Sequence, residues 1–128
     1  MENQLKAELR IGNALKFWNN IFFVSEITEL KITAKNKSLG IICEDYIEFS
    51  PITLTEDILL RLGFDEGFHR YGLENCGLKC HKSLKENYWI VSQGFGIQFT
   101  ELTEIQFLHQ LQNLFFSLCG EELTFKKW

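Results

Sequence analysis

From residue 9 to residue 50 apolar and polar positions tend to alternate, whereas from 103 to 119 the apolar ones recur every three or four. The first pattern is that of strands half-buried on one face, the second that of a helix. Leu9, Ile11, Asn13, Leu15 and Phe17 share one strand face, with Asn13 as its only polar break, and Arg10, Gly12, Ala14 and Lys16 share the other. Asn19-Asn20 suits a tight turn, because Asn tolerates positive φ. In the second strand Phe23 and Ile27 are odd-numbered but Leu30 and Ile32 even, so a bulge or bend is expected within Ser25–Glu29. Lys35–Ser38 reads as a loop, and Leu39–Cys43 and Tyr46–Phe49 as short strands separated by Glu44-Asp45. Four or five strands joined by short turns predict a small, strongly bent antiparallel sheet or an SH3-like barrel.

Pro51 ends this part. Thr53 with Glu56 forms a capping-box pattern, with Thr55 as the alternative cap, for a short helix whose apolar side is Ile58, Leu59 and Leu62 and whose stop is Gly63. Residues 64–86 follow no clear period, and Gly67, Gly72 and Gly77 mark turns there. Tyr88–Ser92 and Phe95–Phe99 predict a hairpin across Gln93-Gly94. At 100° per residue the apolar side chains of 103–119 cover an arc of about 200°, wider than the stripe of a surface helix. Thr103 with Gln106 would cap its start and Gly120 its end. Leu123–Phe125 could add an edge strand. The expectation is an α+β fold, residues 1–128 as a single domain, with a bent sheet, a short helix, a hairpin and one long buried C-terminal helix.

Composition changes this picture little. The chain of 128 residues is 45% hydrophobic and 23% charged with one proline, which describes a folded protein able to bury a core without staples. The net charge of −4 argues against a general electrostatic grip on nucleic acid. It is unevenly spread: 1–40 and 67–85 are net basic, 41–66 and 86–128 net acidic. No signal region and no membrane-spanning apolar run occur, so a cytoplasmic location, no membrane partner and four reduced cysteines are expected.

Cys76, Cys80, His81 and His69 supply soft or borderline ligand types for zinc. Their spacing does not suit it, since adjacent Cys80 and His81 cannot easily turn to one ion, so free thiols and no cofactor are expected. No nucleophile motif accompanies the three histidines, and the expectation is a protein that is not an enzyme. Gln112 falls inside the apolar arc, where a buried amide needs partners, and is expected to satisfy open backbone groups of a neighbouring sheet or loop. With His109, Gln110 and Asn113 it otherwise resembles a reading surface. Trp18, Phe22 and Phe23 cluster at the first turn as a candidate protein-binding knob. Arg70, Lys79, Lys82 and Lys85 form the one basic stretch, suited to phosphates or an acidic protein surface.

Three segments, Glu8–Asn13 (ELRIGN), Ile52–Phe64 (ITLTEDILLRLGF) and His109–Leu123 (HQLQNLFFSLCGEEL), resemble the start, middle and end of a family of small phage- and prophage-encoded proteins. Cys119 stands where a small polar residue is usual, and residues 67–86 lie outside the shared pattern. The resemblance implies an accessory protein in the bacterial host's cytoplasm, acting by stoichiometric binding to a host macromolecule. Its most specific implication is an anti-CRISPR-type inhibitor of an RNA-guided CRISPR nuclease or its RNA complex. The alternative is a nucleic-acid-binding accessory factor.

Overall fold

The computed structural model describes residues 7–64, 73–75, 77–95 and 98–126. The fold is α+β, with two open, four-stranded antiparallel sheets and no closed barrel among the described residues. It divides into two compact units, residues 1–52 with 107–113, and 53–106 with 114–128.

The N-terminal unit is built on a meander of β1 (Ala14–Phe17), β2 (Asn20–Ile27), β3 (Lys31–Asn36) and β4 (Gly40–Asp45). The first strand is shorter than its alternation suggests, because Gly12 takes a positive φ and Ile11 turns outward. The tight turn is Trp18-Asn19, one residue earlier than expected, with Phe17 paired to Asn20 across it. The expected irregularity in the second strand is present: the register of β2 against β3 shifts between Val24 and Glu26, leaving Ser25 as the extra residue. That shift puts Ile27, rather than Glu26, opposite Ile32 on the face where Phe22 and Val24 meet Leu15, Ala34, Tyr46 and Phe49. Glu44-Asp45 does not break the chain into two strands. β4 runs through it, and Tyr46–Glu48 is a 3-10 turn, with the Tyr46 hydroxyl donating to Thr28 O at 2.7 Å.

The second unit contains helix α1 (Glu56–Arg61) and strands β5 (Leu73–Asn75), β6 (Leu78–Lys82), β7 (Trp89–Phe95) and β8 (Gln98–Ile105) in that sheet order. Thr55, not Thr53, is the cap of α1, its hydroxyl accepting from Ile58 N at 3.2 Å, and Gly63 stops it at φ +94°. The hairpin joins β7 to β8 three residues later than expected, Phe95 pairing with Gln98. Residues 96–97 between them lie outside the described ones. No strand forms at Leu123–Phe125, although Leu123 itself is buried. Leu59, Leu62, Phe64, Leu78, Cys80, Val91 and Ile105 are among this unit's buried side chains.

Helix α2 (Leu108–Cys119) begins five residues later than the expected cap, because Thr103–Ile105 belong to β8. Its start is closed instead by Gln110, whose Oε1 accepts from Phe107 N at 3.0 Å. Leu108–Asn113 counts with the first unit and Leu114 onward with the second. Leu108, Leu111 and Phe115 are buried as expected, but Phe116 and Leu118 are exposed, at 41% and 39%. His109 and Gln112 take the buried places instead, at 1% each.

Candidate interaction site

The β1–β2 turn carries a mounted aromatic. Trp18 and Asn19 both adopt positive φ, +49° and +66°, the geometry that matches a two-residue hairpin turn to the twist of its strands. Asn suits that region, whereas for a bulky aromatic it is uncommon and strained. Asn20 Nδ2 donates to Trp18 O at 3.0 Å, and Asn36 Nδ2 donates to Ile21 O at 2.8 Å, fixing the tip from two strands. Trp18 is 79% exposed and stacks on Phe17, with ring centroids 5.9 Å apart and planes 23° from parallel. Phe17 in turn lies 5.3 Å from Phe49 and edge-on to Phe22 at 5.6 Å. The protruding indole therefore stands on a ring anchored in the core.

This revises the expected knob of three aromatics. Phe22 is 2% exposed and belongs to the core, and Phe23 is half-buried on the opposite sheet face. Only Trp18 projects. What the sequence did not show is Phe17 as its base, because alternation assigns Phe17 to the interior without saying that it ends the strand beneath a turn.

The polar residues of α2 are engaged with the chain itself. Gln112 Oε1 accepts from Ala14 N at 2.8 Å and Gln112 Nε2 donates to Gly12 O at 3.3 Å, the backbone-satisfying role expected of it. Asn113 Oδ1 accepts from Asn13 Nδ2 at 2.7 Å and Arg10 Nε at 3.1 Å, while its Nδ2 donates to Glu8 O at 2.7 Å. Glu8 Oε1 lies 2.9 Å from His109 Nε2, and Glu8 Oε2 accepts from Gln110 Nε2 at 3.2 Å. The segment 8–14 is thus stitched along one face of α2. His109, Gln110 and Asn113 form a seam rather than a surface free to read a partner.

The basic stretch is not one patch. Lys79 and Lys82 lie three apart on β6 and so face opposite sides of the sheet. Lys82 Nζ sits 5.9 Å above the Trp89 ring and Lys85 Nζ 5.5 Å above Tyr88. These two flank a groove of about 320 Å³ between Leu54–Glu56 and the segment Lys82–Trp89, in which Trp89 Nε1 donates to Leu54 O at 3.0 Å. Glu56 and Glu86 line it as well, so its charge is mixed. Arg70 lies outside the described residues.

The zinc candidates are separated in the same way. Cys80 and His81 are successive residues of β6 and point to opposite faces. Cys80 is fully buried, and burial pushes its thiol up to about 12. His81 is held below the usual imidazole value, first by burial and then by neighbouring Lys79, with Glu101 acting in opposition. Cys76 and His69 lie outside the described residues, and among the described ones no group of three ligating side chains converges. No helix among the described residues is long and apolar enough to cross a membrane. Set against protein-family models, curated proteins and solved structures, the chain finds no match.

Proposed function

We propose that the protein acts by stoichiometric binding to a host macromolecule, with Trp18 as the anchor side chain. One observation carries this reading: a large aromatic occupies a left-handed turn position that favours Gly or Asn, and it is 79% exposed there. Leaving apolar area in water and a bulky residue at φ +49° both oppose stability. A rigid, solvent-facing Trp is, on the other hand, what a buried interface hot spot requires, since little side-chain freedom remains to be lost on binding.

The resemblance to phage-encoded proteins supports a host defence enzyme as the partner, most specifically an RNA-guided CRISPR nuclease. The test is target cleavage by such nucleases with the protein added at increasing molar ratio. Inhibition should saturate near equimolar protein and be lost in Trp18→Gly, which keeps the turn. Cleavage unchanged at excess protein removes the nuclease as target. Partner capture from the bacterial host that is equal for wild type and Trp18→Gly removes the anchor.

A second reading, a nucleic-acid-binding accessory factor, is favoured by the groove in which Lys82 and Lys85 flank Tyr88 and Trp89. It predicts a salt-sensitive shift of short RNA or DNA by the protein alone, lost on Lys82→Glu with Lys85→Glu.

A further inference from the structure

The first sheet ends in an open edge. β4 pairs with β3 through six successive positions without a bulge, and among the described residues its other side pairs with nothing. Five of its six residues are exposed and Ile42 is half-buried. Natural edge strands are protected by charged side chains, a proline or a bulge. β4 carries charge only at its end, on Glu44 and Asp45, and Gly40-Ile-Ile-Cys43 has none of these. Ile41 is instead 66% exposed, with Leu39 at 58% just before the strand.

Charge along this hairpin is unequal between its ends. Lys35, opposite Ile41, and Lys37, in the turn, make the end where β4 begins basic. Glu44 and Asp45 make the end where it finishes acidic, although Lys31, across from Asp45, offsets one of those two acids. Among the described residues none of Lys35, Lys37, Glu44 and Asp45 forms an ion pair. An antiparallel neighbour of the same sequence brings its acidic end beside the basic end of the first strand, and the twofold axis repeats the match on the other side. A parallel neighbour would set like ends together.

We propose that two copies of this chain pair edge to edge through β4, joining their first sheets into one antiparallel sheet of eight strands. The contact satisfies the open backbone groups and covers Ile41. It is small, so the association is weak and sensitive to salt.

Sedimentation in a concentration series reaching about 0.5 mM should carry the mass from 15.0 kDa toward twice that value at low salt, and less far at high salt. Ile41→Lys alters a solvent-facing side chain and should leave the fold, followed by circular dichroism, while keeping the protein monomeric. Glu44→Lys with Asp45→Lys should also give a monomer. Adding Lys35→Glu and Lys37→Glu to that variant should restore the dimer, an outcome that simple destabilisation does not produce. A wild-type mass that stays at 15.0 kDa overturns the proposal, including the case in which only a foreign strand fills the edge. So does a dimer that neither Ile41→Lys nor the charge reversal disturbs.

Discussion

Asn13 and Asn113, 100 positions apart, are joined side chain to side chain by a 2.7 Å hydrogen bond from Asn13 Nδ2 to Asn113 Oδ1. Asn13 is fully buried, and its own Oδ1 accepts from Arg10 N at 2.7 Å, so the amide is used on both sides. With Gln112 beside it, this pair fixes where the first strand begins.

Replacing Gln112 by Leu keeps the volume of the seam but removes the partners of Ala14 N and Gly12 O. Two backbone groups lose their hydrogen bonds, and the expected loss is about 3 kcal/mol of unfolding free energy, read by urea denaturation. A loss below about 0.5 kcal/mol would show that water takes over both groups.

Trp18 and Phe22 should part company on substitution. Phe22→Ala opens a cavity in the first unit's core and should cost about 3–5 kcal/mol. Trp18→Gly removes an exposed ring and relieves a left-handed non-glycine, so stability should stay within about 1 kcal/mol of wild type, on either side. Thermal melts of the two variants decide whether one residue or both form the knob.

The two candidate caps of α1 are also separable. Thr55→Ala should cost about 1 kcal/mol because Ile58 N loses its acceptor, whereas Thr53→Ala, outside the helix, should leave stability within about 0.5 kcal/mol. Equal effects would contradict the cap assignment.

Cys80 and Tyr46 give an alkaline signature. Burial raises the folded-state pKa of both, Cys80 from 9.0 to about 12 and Tyr46 above its ordinary 10.0. Below the unfolded values both groups are protonated in either state, and their contribution to stability is intact. As pH rises past 9 the unfolded thiol ionises while the folded one does not, so stability falls progressively until about pH 12. Denaturation midpoints measured through this window should decline less steeply for Cys80→Val. At pH 8, alkylation followed by mass spectrometry should label exposed Cys43 readily and Cys80 only after unfolding.

Legibility followed the range of the forces involved. The bulge at Ser25 falls within the stretch the sequence points to, but not on the residues that pointed there. Phe23 faces away from the core, Leu30 is exposed beyond the end of β2 and Ile32 belongs to β3. The phase that changes is that of Phe22 and Val24 against Ile27. The backbone role of Gln112 was readable because an amide within an apolar arc must find partners. The start of α2 was not, since Thr103–Ile105 can cap a helix or finish β8, and pairing with β7 decides between them. Strands β5 and β6 were missed because their short runs are too interrupted by Gly77 and charged residues to show a period. For the candidate site, alternation gave Phe22 no inward place, because a turn placed one residue too late reversed the facing of the strand beyond it. The seam had a signal in hindsight: Asn13 and Gln112 are each the lone amide on an otherwise apolar face.

Because residues 107–113 complete the N-terminal unit, everything from 53 to 106 is a detour within it. During synthesis β1 to β4 leave the ribosome long before the helix that satisfies Gly12 and Ala14, and must wait with that edge of the structure unfinished. Folding of the first unit should therefore lag translation by some sixty residues and depend on late, long-range closure. Nascent chains arrested ahead of Gln112 should remain protease-sensitive around residues 8–14, with protection arriving only once the helix has emerged.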